Sequence, residues 1–381
     1  MLLQPTSDQE FFRETTARFL EEQVPVGELR RLRDDPAGFD EKYWRRGAEL
    51  GWTSLLVSED HGGGTISGEG LVDLSLIAYE FGRRAAPGPL LPTNVVAAAL
   101  SAAGGDEHAL VLANLVSGAD VASWCYAEPR PNDRLGMVTV DARVDGPDVV
   151  LNGAKRPAES AAQADHLLVT ARTGDGLTQV LVPTDTPGVS IEPMHNVDLT
   201  RRFAAVTFDG ARVPASAVVG DVGGAADQAD HQVQIALALL TVEAVGAMQT
   251  AFDMTVAWAF DRYTFGRPLA SYQALKHRFA DMKSWLEGAH AISDRAVAAV
   301  HSREAEADEL LSAAKAFIGK YGAELMHDCV QMHGGIGVTF EHDLHLYLRR
   351  QTLTTSLYGT PAEHRQRLAD AVELRENEAA P

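Results

Sequence analysis

Apolar residues recur at helical spacing in the first third of the chain, at strand spacing in the middle, and at helical spacing again to the end. Ser7-Asp8-Gln9-Glu10 has the form of a capping box, and Phe11, Phe12, Phe19 and Leu20 follow it, which predicts a first amphipathic helix. Leu71 to Phe81 predicts another and Leu90 to Leu100 a third, with Gly and Pro punctuating between them. Near residue 120 the pattern changes. Val138-Thr139-Val140, Val149-Val150-Leu151, Leu167-Leu168-Val169, Val180-Leu181-Val182 and Val206-Thr207-Phe208 are short runs separated by Gly, Asp and Pro. They predict a small antiparallel barrel or sandwich. Residues 220–230 read as a linker, and four long helices follow, with a polar connection over 302–309. The chain is therefore expected to be α+β. An N-terminal helical domain spans 1–120, a middle β domain 121–222 and a C-terminal helical bundle 223–381.

Composition narrows the function classes. A chain of 381 residues that is 45% hydrophobic buries a large core. Its net charge of −20 argues against nucleic acid or an anionic membrane as a main partner. The apolar run from Ile235 to Met248 comes nearest to a membrane span, but Glu243 interrupts it. No basic leader opens the chain, and Cys125 and Cys329 stand far apart, so a reducing cytoplasm is expected.

Two segments suit a dinucleotide. One is Arg262-Tyr263-Thr264-Phe265-Gly266, followed by Gln273; the other is Gln331-Met332-His333-Gly334-Gly335-Ile336-Gly337. A guanidinium presents a rigid donor fork to a pyrophosphate, and a Gly-Gly pair lets backbone amides approach a ligand closely. A long helical stretch separates the two, so folding or a partner chain must bring them together.

These segments resemble the R-x-x-F-G…Q and Q-x-x-G-G-x-G motifs of the acyl-CoA dehydrogenase family. The resemblance covers nearly the whole chain. Glu49-Leu50-Gly51-Trp52 through Glu59-Asp60-His61-Gly62-Gly63, Glu128-Pro129, Leu151-Asn152-Gly153-Ala154-Lys155 and Arg212-Val213-Pro214 match family segments in order. The resemblance implies that FAD lies across a subunit interface. Arg262, Thr264, Phe265, Gln273, Gln331, Met332, His333, Gly334, Gly335 and Thr360 would hold its ADP end, with the flavin ring seated in the neighbouring chain. It also implies an acyl-CoA substrate and electron-transferring flavoprotein as the electron acceptor.

The departures from the family fall on the chemistry. Where a Glu commonly removes the α-proton of the acyl thioester, Leu357-Tyr358-Gly359-Thr360 places Tyr358. A phenol titrating near ~10 is a poor base at neutral pH. The position some members use instead falls on Ala236. Glu243 lies on the same helix face two turns on, about 10 Å along the axis, as a candidate base or as a buried, paired or interface carboxylate. Glu363, beside Pro361, reads as a residue of the last helix's first turn, and Asp343 is a further carboxylate near the Gly-Gly loop. The ring pocket is altered too. Ala127 replaces a Thr, Arg130-Pro131-Asn132-Asp133 a Gly-Ser-Asp, and Arg156-Pro157-Ala158-Glu159 the segment that backs the ring.

One half of a shared site is thus kept and the other lost. An obligate heteromer needs each half only once across its two kinds of chain. The resemblance therefore implies the companion subunit of a heteromeric acyl-CoA dehydrogenase, a heterotetramer with a homologous catalytic chain, acting on steroid-type CoA esters. The alternatives are a self-sufficient dehydrogenase with Glu243 as base, and a non-catalytic protein on the same fold. The cluster Glu341-His342-Asp343-Leu344-His345 lacks metal-site spacing, and no metal is expected. Arg201-Arg202 reads either as a contact to an acidic group of substrate or partner or as a surface pair.

Overall fold

The computed structural model describes residues 5–129, 138–174 and 176–379. The expected segment Arg130 to Asp133 lies outside them. Six helices come first: α1 (Ser7–Gln23), α2 (Val26–Leu29), α3 (Glu41–Glu49), α4 (Gly70–Arg84), α5 (Leu90–Ala103) and α6 (Ala109–Ser117). The cap of α1 sits one residue earlier than the sequence suggests. Thr6 Oγ1 accepts from Gln9 N at 3.2 Å, and Gln9 Oε1 accepts from Thr6 N at 3.0 Å. Phe12, Phe19 and Leu20 face inward, whereas Phe11 is exposed.

Eight strands follow: β1 (Ala122–Cys125), β2 (Asp141–Asp145), β3 (Asp148–Glu159), β4 (His166–Thr173), β5 (Gly176–Pro183), β6 (Val189–Met194), β7 (Phe203–Pro214) and β8 (Val218–Val219). They form one sheet in the order β6-β7-β3-β2-β4-β5-β8, with β1 beside β4. Most pairs are antiparallel, but β1 and β2 each run parallel to β4. The run Val138 to Val140 is not a strand. The backbone amides of Thr139 and Val140 donate instead to the Glu128 carboxylate, at 2.8 and 3.0 Å.

The linker is shorter than expected, because α7 (Ala226–Asp261) already begins within it. A short hairpin, β9 (Tyr263–Thr264) and β10 (Arg267–Pro268), leads to α8 (Gln273–His301), α9 (Ala307–His333), α10 (Leu344–Ser356) and α11 (Pro361–Ala379). The bundle thus has five helices, three of them long. By length and composition α7 would cross a membrane, but 89% of its most apolar stretch is buried inside this fold.

Helices from both ends of the chain share one hydrophobic core, while the inner face of the sheet has its own. The crossing of α4 and α7 is close enough for backbones to touch. A Cβ on Gly82 would lie 1.9 Å from Glu243 O, and one on Gly246 would lie 2.1 Å from Tyr79 O. Glycine at both positions lets the two helices approach to a distance no larger residue permits.

Candidate functional site

The first motif forms a rigid, exposed hairpin. The two-residue loop Phe265-Gly266 has φ of 51° and 81°, the pair of positive values that a type I′ turn requires. A phenylalanine in the left-handed region is uncommon, and this one is 98% exposed. The hairpin is tied to the bundle. Tyr272 OH donates to Thr264 O at 2.8 Å, and Leu269 N donates to Arg262 O at 2.9 Å. Arg262 itself is exposed, its guanidinium 5.9 Å from the centre of the Trp258 ring. Gln273, the first residue of α8, is exposed as well.

The second motif ends α9. Gln331, Gly334 and Gly335 are exposed, and Met332 packs partly against the core. Gly334 has φ of 65°, and a Cβ built on Gly334 or Gly335 would meet nothing within 4 Å. The backbone here is open to a ligand. His333 turns inward: its Nδ1–H donates to Cys329 O at 2.8 Å, and burial lowers its pKa. The His333 ring stacks on Trp258 with centroids 5.3 Å apart. Trp258 therefore joins the two motifs within a single chain. His342 adds an edge contact to His333 at 4.5 Å. Trp258 was not singled out from the sequence, and His342 was weighed only in the Glu341-to-His345 cluster. The usable signal was that Trp258 lies four residues before Arg262 on the helix that leads into the motif.

The remaining expected residues make contacts within the chain. Thr360 caps α11, with Thr360 N donating to Glu363 and Glu363 N donating to Thr360 Oγ1 at 3.3 Å. Its side chain belongs to a capping box, which accounts for Glu363 too. Ala236 is fully buried in α7. Tyr358 has φ of 52°, is buried, and lies 5.6 Å from Trp124, which stacks on Tyr126. Burial raises its phenol well above the ordinary value, so it stays neutral. His364 holds this loop. Its Nε2 lies 2.9 Å from the Tyr358 carbonyl, which can only accept, so Nδ1 accepts from Ser312 Oγ at 3.1 Å.

Glu243 is the centre of a buried charge cluster. It accepts from Arg350, and its second oxygen lies 3.6 Å from Arg201 Nη1. Arg350 also donates to Asp198, to Thr200 and, at 3.1 Å, to Ala86 O. Arg201 grips Glu159 through two donors, one at 2.7 Å. The cluster thus ties the first helical region, the sheet and the bundle together. Glu243 is held between two arginines, Arg350 and Arg201. Arg201 is neither a surface pair nor a free contact, because it is buried. Glu159 likewise turns inward. Asp343 is bound by Arg30, and His345 Nε2 lies 3.2 Å from Phe340 O.

A cavity of about 460 Å³ lies where the altered ring-side residues meet, bordered by Ala127, Pro129, Arg156, Pro157 and Tyr358. Ala127 O is already taken, accepting from Arg156 N at 2.8 Å. Ala127, Pro129 and Pro157 supply no side-chain donor, and neither proline has an amide hydrogen. Beneath it, the buried Lys155 donates to Glu128 at 2.9 Å and to Tyr126 O at 3.0 Å. Burial pulls the Lys155 pKa down, and the Glu128 charge opposes that pull. The Glu-Pro and L-N-G-x-K segments are thus two sides of one ion pair.

Comparison with known proteins agrees along the whole chain. The acyl-CoA dehydrogenase N-terminal domain matches residues 6–119, its middle domain 124–210 and its C-terminal domain 228–373. Acyl-CoA dehydrogenase IpdE2 of Mycolicibacterium smegmatis is 32% identical over 365 residues, 95% of this chain and 98% of the relative. The protein of the same name from Mycobacterium tuberculosis is 30% identical, over 97% and 98%. Among solved structures, the steroid ACAD Tcur3481-Tcur3483 superimposes with a TM-score of 0.87 at 27% identity, covering 98% of this chain and 99% of that one. This chain belongs to the acyl-CoA dehydrogenase family.

Proposed function

We propose that this chain is the companion subunit of a heteromeric, FAD-dependent acyl-CoA dehydrogenase. A homologous partner chain supplies the proton-abstracting base and the flavin-ring pocket, and the assembly works in the cytoplasm. The observation that carries this reading is the opposite fate of the two halves of the site. Arg262, Phe265, Gln273, Gln331, Gly334 and Gly335 stand exposed, with Trp258 between Arg262 and His333, whereas Tyr358 is buried, neutral and packed on Trp124.

The exposed half fits the ADP end of FAD. Arg262 offers a guanidinium that no carboxylate neutralises among the described ion pairs, and Gly334-Gly335 offers amides that a side chain would otherwise cover. On the ring side, Ala127, Pro129 and Pro157 present no side-chain donors to a flavin ring. Bound FAD accepts the hydride in this family's chemistry. This chain's own residues bind and orient: Arg262 holds phosphate charge, Trp258 and His333 keep the two motifs in register, and the Phe265 hairpin projects toward the partner. The steroid ACAD Tcur3481-Tcur3483, named for two components, supports both a two-chain assembly and a steroid-derived acyl-CoA substrate. Electrons pass on to electron-transferring flavoprotein.

The test is flavin stoichiometry. The chain expressed alone is expected to be colourless. Co-expressed with its partner, it should form a mixed tetramer with half a flavin per chain. One flavin per chain without a partner would overturn the proposal.

A further inference from the structure

After the short turn Gly334–Val338, residues 339–343 run to α10 without regular structure. Carbonyls in such a segment have no ladder partners and must find donors elsewhere. Two of them find one side chain. Arg30 Nε donates to Phe340 O at 2.8 Å, and its Nη2 donates to Glu341 O at 3.0 Å and to the Asp343 carboxylate. The guanidinium also lies 6.0 Å from the centre of the Phe340 ring, on which His345 stacks with centroids 4.7 Å apart.

Arg30 is itself well placed. It opens the turn Arg30–Asp34 that follows α2, between Leu29, which is buried in the helical core, and Leu32, which packs against that core. A guanidinium offers five donors in a rigid fork, so one side chain can fix several acceptors relative to one another; an ammonium is a compact point charge. What the fork fixes here is His342, because Glu341 and Asp343, its neighbours on both sides, are bound to Arg30. His342 Nδ1 accepts from Leu344 N at 3.1 Å, which sets the direction of the ring. The ring meets His333 edge-on at 4.5 Å and Trp258 at 6.3 Å. His333 directly precedes Gly334, where the exposed backbone of the second motif begins. A run of contacts thus leads from Arg30 through residues 340–343, His342 and His333 to Trp258.

We propose that Arg30 is a positioning residue for the ADP-end half of the flavin site: it sets the loop so that His342 braces His333 and Trp258, and the Gly334-Gly335 amides stay in place for the ligand. Among the described hydrogen bonds and ring contacts, none joins Arg30 to a residue assigned to FAD, so its influence passes through His342. The proposal rests on the ADP-end reading given above.

Two measurements test it. In the full-length chain alone, Arg30→Ala should speed amide hydrogen exchange over residues 334–346 about tenfold and leave exchange in the sheet as it was. In the complex co-expressed with its partner, the same substitution should weaken FAD binding about tenfold, as loss of a hydrogen bond to a charged group does, while turnover at saturating FAD stays within about twofold. Arg30→Lys keeps the charge beside Asp343 but not the fork; it should weaken FAD in the same direction, and it carries the test if Arg30→Ala does not fold. Combined with His342→Ala, Arg30→Ala should weaken FAD no further than His342→Ala alone, because both interrupt the same path. Additive losses would make Arg30 a general support of the fold and overturn the proposal. So would FAD binding unaltered by both Arg30 variants while Arg262→Ala weakens it. If Arg262→Ala also leaves FAD binding unaltered, the ADP-end reading is what has failed, and the proposal falls with it.

Discussion

Glu243→Gln separates a structural carboxylate from a catalytic one. The substitution keeps the shape and removes one charge from a cluster holding Glu159, Asp198 and Glu243 against Arg201 and Arg350. Three negative and two positive charges give −1, and the variant brings the cluster to zero. Each arginine keeps a carboxylate: Arg350 keeps Asp198, and Arg201 keeps Glu159. What is lost is the charge on one hydrogen bond, which the amide oxygen replaces with a neutral acceptor. A hydrogen bond to a charged group contributes about 1.5–3 kcal/mol and a neutral one about 1, so the expected loss is about 0.5–2 kcal/mol. Arg350→Met is the contrast. It leaves Asp198 and Glu243 buried without that guanidinium, a change expected to cost about 3–5 kcal/mol. Urea denaturation followed by tryptophan fluorescence measures both. Turnover of the co-expressed complex is the second readout, and Glu243→Gln should change it less than about twofold. A lost general base removes about 10²–10⁴ in rate. A loss of that size with flavin retained would refute the structural assignment, as would a Glu243→Gln variant no more stable than Arg350→Met.

Other outcomes follow from the same geometry. Arg262→Ala should weaken flavin retention in the complex by about ten- to a hundredfold, read from the yellow absorbance left after desalting, while the melting of the isolated chain is unchanged because Arg262 is exposed. Burial lowers the His364 pKa from 6.5 to about 4. Below the ordinary value the unfolded chain takes up a proton that the folded chain refuses. This residue's share of stability is therefore complete above pH 6.5 and falls by about 3 kcal/mol as the pH drops to about 4. His364→Gln should flatten that slope in urea midpoints measured across the same range; an unchanged slope would remove His364 as its source. Gly82→Ala should destabilise by about 3 kcal/mol or more by calorimetry, because the new methyl meets the Glu243 backbone rather than a movable side chain.

The sequence made the architecture legible because period and punctuation are local properties. The α, β, α order could be read directly, and so could β3, β4, β5 and β7. Val138 to Val140 could not, because its β-branched run satisfies its amides on a carboxylate more than nine residues earlier in the chain. Strands β1, β2, β6 and β8 were not legible either, and β1 shows one reason. It is four residues long and buried on both faces, so it shows no alternation. At the site, the two motifs lie on either side of Trp258, near Arg262 on one side and stacked on His333 on the other. They said nothing of what lay between them, since Trp258 matters only through its stacking on His333. The charge cluster was illegible for a related reason. Glu243 and Arg350 are 107 residues apart, and nothing local to Arg201-Arg202 shows that one arginine is buried while the other lies along a cleft.

The core shared by the two ends of the chain sets an order of assembly during synthesis. Helices α1 to α6 leave the ribosome with their apolar faces unmatched, since α7, the helix that α4 touches at its backbone, begins at Ala226. At about 5–20 residues per second, the wait after α6 lasts several seconds or more. The sheet, with a core of its own, is complete before then and can fold first. Until the bundle arrives, the opening third is a client for whatever covers exposed apolar helices in the cell. A stalled or truncated chain would present that surface indefinitely, so damage to α7 should appear as aggregation of residues far from it.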